Sequence, residues 1–271
     1  MHQKFRSGTG PATMQFARDT GAGGCVTRRQ GVRVTVLRFP ASSAVGMIWW
    51  PGASGELPAI GTVEVPDGTA VRLTAGRVPH SRKKRSRYGN NRKAVNLAFI
   101  RGLPAGSVLD LSLRRVVPAS FAAVAHLAPG LRDLDVYIDH LGADAPSVIA
   151  ELTALESLAL FGHDPTFPGD DPSLRLDDHA LSAIADLPAL ESLSLLGGSY
   201  TGHGLRQLTR LPKLRHLHIE REGLTAPMFR FAAAMPALTE LDGLDEFGDD
   251  GPMPPAEVKR VRAMLPHISV C

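Results

Sequence analysis

The stretch LPKLRHLHIEREGL, residues 211–224, decides the fold. From His216 to Glu220, polar and apolar residues alternate. That is the two-residue period of a strand with one buried face, so His216, His218 and Glu220 point one way and Leu217 and Ile219 the other. The leucine pattern returns along the chain. LPALESLSL (187–195) and LTALESLAL (152–160) share it, as do APGLRDLDV (128–136) and MPALTELDG (235–243). LPHISV (265–270) fits the same frame at the far end, and Val108, Leu111 and Leu113 fit it upstream. The frame is L-x-x-L-x-L. Its middle apolar residues are Leu111, Leu134, Leu158, Leu193, Leu217, Leu241 and Ile268, at intervals of 23, 24, 35, 24, 24 and 27 residues.

A fixed period in this range is the signature of stacked repeats. Each frame predicts a short strand with one apolar face. About ten residues further on comes a segment whose apolar residues recur every three or four positions, as a one-sided helix requires. These segments are 119–127, 146–152, 178–187, 203–211, 226–235 and 255–265. Proline follows most of them and stops the helix, because the residue before proline disfavours helical dihedrals. A strand, a turn, a helix and a return make one unit, and such a unit buries its leucines only against its neighbours.

The pattern resembles the leucine-rich repeat family, in its bacterial-type form with helix-bearing repeats of about 24 residues, over roughly residues 95–271. The resemblance implies an α/β solenoid with parallel strands on the concave face and helices on the convex face. Many members of the family place Asn at the ninth position of the frame, where this chain has Asp139, His163, Gly198 and Glu222. The 35-residue interval adds a Pro- and Gly-containing insertion over 161–176, which predicts a surface loop. The implied concave face carries Asp133, Asp135 and Tyr137, then Phe161 and Leu196, then His216, His218 and Glu220, then Glu240 and Asp242. Equivalent positions stack into columns about 4.8 Å apart. Tyr137, Phe161 and Leu196 form an apolar column inside a polar surround, which is the anatomy of a protein-binding surface.

Upstream of the repeats, VRVTVLRF (32–39), GMIWW (46–50) and GTVEV (61–65) have strand composition. VPDGTAVRLTAGRV (65–78) echoes LPAGSVLDLSLRRV (103–116) at an offset of 38 residues, aligning Leu73 with Leu111. A stack of repeats needs its first apolar layer covered. Residues 31–94 are therefore expected to form a β-rich N-terminal cap that includes an atypical first repeat, and residues 1–30 a loosely ordered segment. Within the cap, HSRKKRSRYGNNRKA (80–94) is dense in Lys and Arg and holds no acid. It reads as a solvated insertion or as a polyanion-binding loop using Arg82, Lys83, Lys84, Arg85 and Arg87, with nucleic acid as one such partner. Tyr88 is its only aromatic residue, a poor base-stacking platform. A third reading is contact with this chain's own acidic half.

Charge is split along the chain. Residues 1–101 hold 17 Lys/Arg against 4 Asp/Glu, and residues 102–271 hold 13 against 23. Such polarity speaks to partners, not to fold. No apolar run reaches the roughly 20 residues of a membrane span, and the N-terminus lacks the apolar core of a secretory signal. The two cysteines, Cys25 and Cys271, make no disulfide framework and sit in no zinc spacing. A cytoplasmic protein without a membrane segment is expected. P-loop, G-x-S-x-G and H-E-x-x-H patterns are absent from the sequence. The loop aspartates Asp164, Asp170 and Asp171 are separated by prolines that break an EF-hand spacing. His216 and His218 with carboxylates one strand away have zinc-compatible chemistry, but exposed strand positions in repeats vary freely. The expectation is a non-catalytic scaffold with no metal and no cofactor that binds a protein or peptide.

Overall fold

The computed structural model describes residues 26–29, 32–76, 94–114, 116–137, 144–161, 176–220, 223–244 and 253–271. The basic run Arg82, Lys83, Lys84, Arg85 and Arg87 lies outside these residues, as does the segment 1–25. The chain is a mixed α/β structure with a large, mainly parallel sheet and several helices. Its first strands are β1 (Val26–Arg29), β2 (Val32–Arg38), β3 (Gly46–Trp49), β4 (Leu57–Pro58), β5 (Thr62–Pro66) and β6 (Val71–Ala75). One strand per repeat frame follows: β7 (Val108–Leu113), β8 (Asp133–Tyr137), β9 (Ser157–Phe161), β10 (Ser192–Leu196), β11 (His216–Glu220), β12 (Glu240–Asp242) and β13 (Ser269–Val270).

Strands β6 to β13 lie side by side in sequence order, each parallel to the next. At the other edge β3 and then β4 join antiparallel, giving ten strands in all. β1, β2 and β5 form a separate antiparallel sheet of three. The 38-residue echo is realised as strand pairing: Leu73 of β6 sits opposite Leu111 of β7. The sheet of the repeats thus continues into residues before 94.

Leucine alternation explains the register. Leu111, Leu134, Leu158, Leu193, Leu217 and Leu241 are aligned across six neighbouring strands, and each is at most 2% exposed. A one-residue slip would turn this column to solvent and bring the polar column inside. A second column, Leu131, Leu155, Leu190, Leu214 and Leu238, is buried just ahead of the strands. Val136, Leu160, Leu195 and Ile219 form a third.

The last frame departs from expectation. Val270, not Ile268, pairs with Leu241. Ile268 is buried ahead of β13, its N–H bonded to the Leu265 carbonyl just as the Leu238 N–H is bonded to that of Met235. It therefore takes the place of Leu238. One residue separates Ile268 from Val270 where two separate Leu238 from Leu241, so the final unit is one residue short at this step.

The helical segments also differ in kind. α1 (Ala145–Glu151), α2 (Asp178–Ile184), α3 (Gly202–Gln207) and α4 (Pro255–Met264) are α-helices. The segments Pro118–Leu127 and Ala226–Ala234 are 3-10 helices, and a further one spans Leu97–Gly102. The spacing of the buried residues suits that geometry in all three. Phe121, Val124 and Leu127 are buried at strict three-residue intervals, as are Ala226, Phe229, Ala232 and Met235, and Leu97, Ile100 and Leu103. With three residues per turn, a 3-10 helix keeps such a row on one face, where an α-helix would rotate it away. In α1 the buried set Ala145, Val148, Ile149 and Leu152 instead straddles the stripe of an α-helix. Side-chain caps fix two of the α-helices: Asp177 accepts from the His179 and Ala180 N–H groups at 3.0 Å, and Thr201 Oγ1 accepts from the His203 N–H at 3.1 Å.

Neighbouring helical segments touch in sequence order from 97–102 to α4. They share one apolar core with the inward side of the sheet. At the N-terminal end, Phe39 closes on Phe99 of the first helical segment, with ring centroids 5.9 Å apart. No helix among the described residues is long and apolar enough to cross a membrane.

The units also meet at their turns. A Cβ placed on Gly130 would stand 2.4 Å from the Cα of Gly106, one unit earlier. The obstacle is backbone, which cannot swing aside. Gly130→Ala is therefore expected to destabilise the chain, visible as a lowered thermal midpoint. Leu193→Ala is expected to cost about 2–5 kcal/mol in urea unfolding. Leu196→Ala, three residues away on the outward face, should cost under about 1 kcal/mol; equal costs would refute the assigned facing of β10.

Candidate binding face

The residues between the buried leucines all emerge on one side of the sheet. In β9 and β10 the burial alternates strictly, with the outward side chains half-buried and the inward ones buried. Register then fixes the neighbours: Asp110 lies beside Asp133, Ser112 beside Asp135, Ser194 beside His218, Leu196 beside Glu220, and His218 beside Asp242.

Towards β7 and β8 the face is built from carboxylates and two arginines. Arg72 of β6 pairs with Asp110, and its guanidinium lies 5.9 Å from the Trp49 ring centroid. Asp135 Oδ2 accepts from Arg114 at 2.8 Å and from the Ser112 hydroxyl at 3.2 Å. Arg114 in turn lies 5.6 Å from the centroid of the Phe161 ring, a cation–π distance. The other oxygen of Asp135, Oδ1, is shut off from solvent with no hydrogen-bond donor.

Two of these carboxyls are raised above their ordinary value. Partial burial raises Asp133 above the usual carboxylate range although its side chain reaches solvent; Asp110 and Glu156 push it the same way, while Ser157 and Arg72 oppose. Asp135 is raised as well, by burial first; Arg114 and Ser112 pull it back, and Asp110 adds to the rise.

The outward residues of β9 and β10 are themselves uncharged. Ser157 and Ala159 of β9 stand beside Ser192 and Ser194 of β10, and Phe161 stands beside Leu196. The backbone of Tyr137 pairs with Phe161, which continues the expected apolar column; the Tyr137 side chain lies outside the described residues.

At β11 and β12 the histidines meet carboxylates. His216 Nε2 lies 3.4 Å from Glu240 Oε2, with both side chains exposed. His218 is more enclosed, at 20% exposure, because it sits between two acids: Nδ1 is 2.8 Å from Asp242 Oδ1 and Nε2 is 3.7 Å from Glu220 Oε2. Among the described residues, no group of three or more His, Cys, Asp and Glu side chains could hold a metal ion.

The face thus brings together Asp133, Asp135, Phe161, Leu196, His216, His218, Glu220, Glu240 and Asp242, each on the side expected from its strand position. Arg72 and Trp49 were not foreseen. The signal was there for Arg72, since the 38-residue echo that aligns Leu73 with Leu111 also sets Arg72 against Asp110. Trp49 comes from β3, which joins antiparallel and obeys no repeat. Compared with models of known protein families and with curated proteins, the chain matches none.

Asp133 gives a pH test. Its folded-state value lies above the ordinary 3.8, so its charged form subtracts from stability at neutral pH and ceases to do so as pH falls below that value. Asp133→Asn is expected to raise the thermal midpoint at pH 7, and the gain should vanish near pH 3. A gain of the same size at both pH values would exclude the carboxylate charge as its cause.

Proposed function

We propose that this chain is a leucine-rich repeat solenoid serving as a non-catalytic recognition scaffold, and that its outward sheet face, concave in such a solenoid, binds another protein or peptide. One observation carries the reading. An in-register face spans β7 to β12, its outward side chains remaining partly open to solvent in β9 and β10 while the leucines behind are buried. Inward positions are committed to the core, so the outward ones are available to a partner. Phe161 and Leu196 supply a central apolar ledge, and charge lies to either side. Apolar anchors inside a polar rim are where binding energy concentrates. A cytoplasmic location goes with this reading, supported by a sequence of 271 residues with only two cysteines.

Selection from a randomised peptide library displayed on phage tests it. Peptides enriched on the full chain should lose at least about tenfold in affinity on a Phe161→Ala/Leu196→Ala variant, with its thermal midpoint little changed. Enriched peptides that bind the variant as tightly as the parent would refute the face.

A second reading makes the chain an adaptor for nucleic acid or another polyanion through Arg82, Lys83, Lys84, Arg85 and Arg87. It is favoured by the concentration of 17 Lys/Arg in the first 101 residues. Phosphate or sulfate contacts would be salt-sensitive. On a heparin column, a variant with these five changed to Gln should elute at clearly lower salt; unchanged elution would reject that role.

A further inference from the structure

We infer that the partner of the outward face is an extended basic peptide that crosses the strands and carries two Arg or Lys side chains four to six residues apart. The inference rests on the scaffold reading above and specifies the chemistry of the ligand.

The charges on this face are segregated. One acidic group comprises Asp110, Asp133 and Asp135 on β7 and β8. The other comprises Glu220, Glu240 and Asp242 on β11 and β12. Between them, β9 and β10 present Ser157, Ala159, Ser192 and Ser194, which are small and uncharged. No outward position from β8 to β12 holds Lys or Arg. At the β11–β12 end the carboxylates face imidazoles. At the β7–β8 end, Arg72 and Arg114 answer Asp110 and Asp135 from the neighbouring side, yet Asp133 and Asp135 keep raised carboxyls and Asp135 Oδ1 keeps no donor. An incoming cation would meet the solvent-exposed carboxylate of Asp133 at the first end and those of Glu240 and Asp242 at the second.

Geometry sets the spacing. Neighbouring strands lie about 4.8 Å apart, so β8 and β11 are separated by about 14 Å and β8 and β12 by about 19 Å. An extended peptide advances about 3.3 Å per residue. Its two cationic side chains therefore fall four to six positions apart. The small residues of β9 and β10 let the peptide backbone approach the sheet between them. An apolar residue at an intervening position meets the Phe161–Leu196 ledge. An acidic or polyanionic occupant would be repelled at both ends.

The phage selection reads this directly when scored for the spacing of basic residues. The expected result is enrichment of peptides with Arg or Lys pairs at separations of four to six around an apolar residue. A fluorescein-labelled synthetic copy of one such peptide then serves as probe in anisotropy titrations with the full chain. Moving one Arg to the position adjacent to the other should weaken binding about tenfold, as should Glu240→Gln/Asp242→Asn in the protein. Raising salt should weaken the parent peptide more than the peptide with adjacent arginines. The peptide arm leaves the protein untouched, so a folding defect cannot mimic it. Enriched peptides without paired basic residues, but still sensitive to Phe161→Ala/Leu196→Ala, would overturn this inference and leave the scaffold reading standing. Enrichment of acidic peptides, or equal affinity at every Arg spacing, would overturn it too. Failure to enrich any peptide sensitive to that double variant would count against both.

Discussion

One constraint governs this chain: neighbouring parallel strands must pair without slipping. The buried leucine column from Leu111 to Leu241 enforces it, because a shift of one residue would exchange every inward side chain for an outward one. Everything else follows from keeping that column continuous. The helical segments return the chain by one strand spacing per unit. The turns close tightly enough that Gly106 and Gly130 nearly touch. The final unit gives up one residue ahead of β13 and still delivers an apolar residue, Val270, opposite Leu241.

The same constraint creates the outward columns. Alternation forces one side chain of every two away from the core, and parallel register places like positions side by side. Charges of one sign then gather without any need to attract each other. Burial lifts the carboxyls of Asp133 and Asp135, and the neighbouring Asp110 adds to the rise in both. A residue that weakens the fold where it stands is more readily explained by what it meets than by what it supports. In the scaffold reading, the solvent-exposed carboxylate of Asp133 is held ready for a cation.

The legible part of the structure was the part with a period. The two-residue alternation and the interval near 24 specified strands β7 to β12 and the facing of their side chains, down to which residues neighbour His218. The helical returns were legible as elements but their type was not, since buried residues three apart occur both in the 3-10 segment with Phe121, Val124 and Leu127 and at α2 with Leu181, Ile184 and Leu187. Ile268 was misplaced because L-x-x-I-x-V satisfies the frame in either of two registers, and only the strand pairing decides between them. Trp49 could not be foreseen, since β3 joins antiparallel from outside the repeat and its partner depends on a tertiary contact. Asp135 Oδ1 lies beyond any sequence pattern, because solvent exclusion at a single atom is a property of the packed surface.

The pairing of β9 with β10 has a wider meaning. These strands match over all five residues, as do β10 and β11. Yet 30 residues separate Phe161 from Ser192, and 19 separate Leu196 from His216. The sheet does not register the length of the chain spent between two of its strands. Evolution, or a protein engineer, can therefore lengthen the detour after β9, and graft new sequence there, while the outward wall of the sheet keeps its spacing.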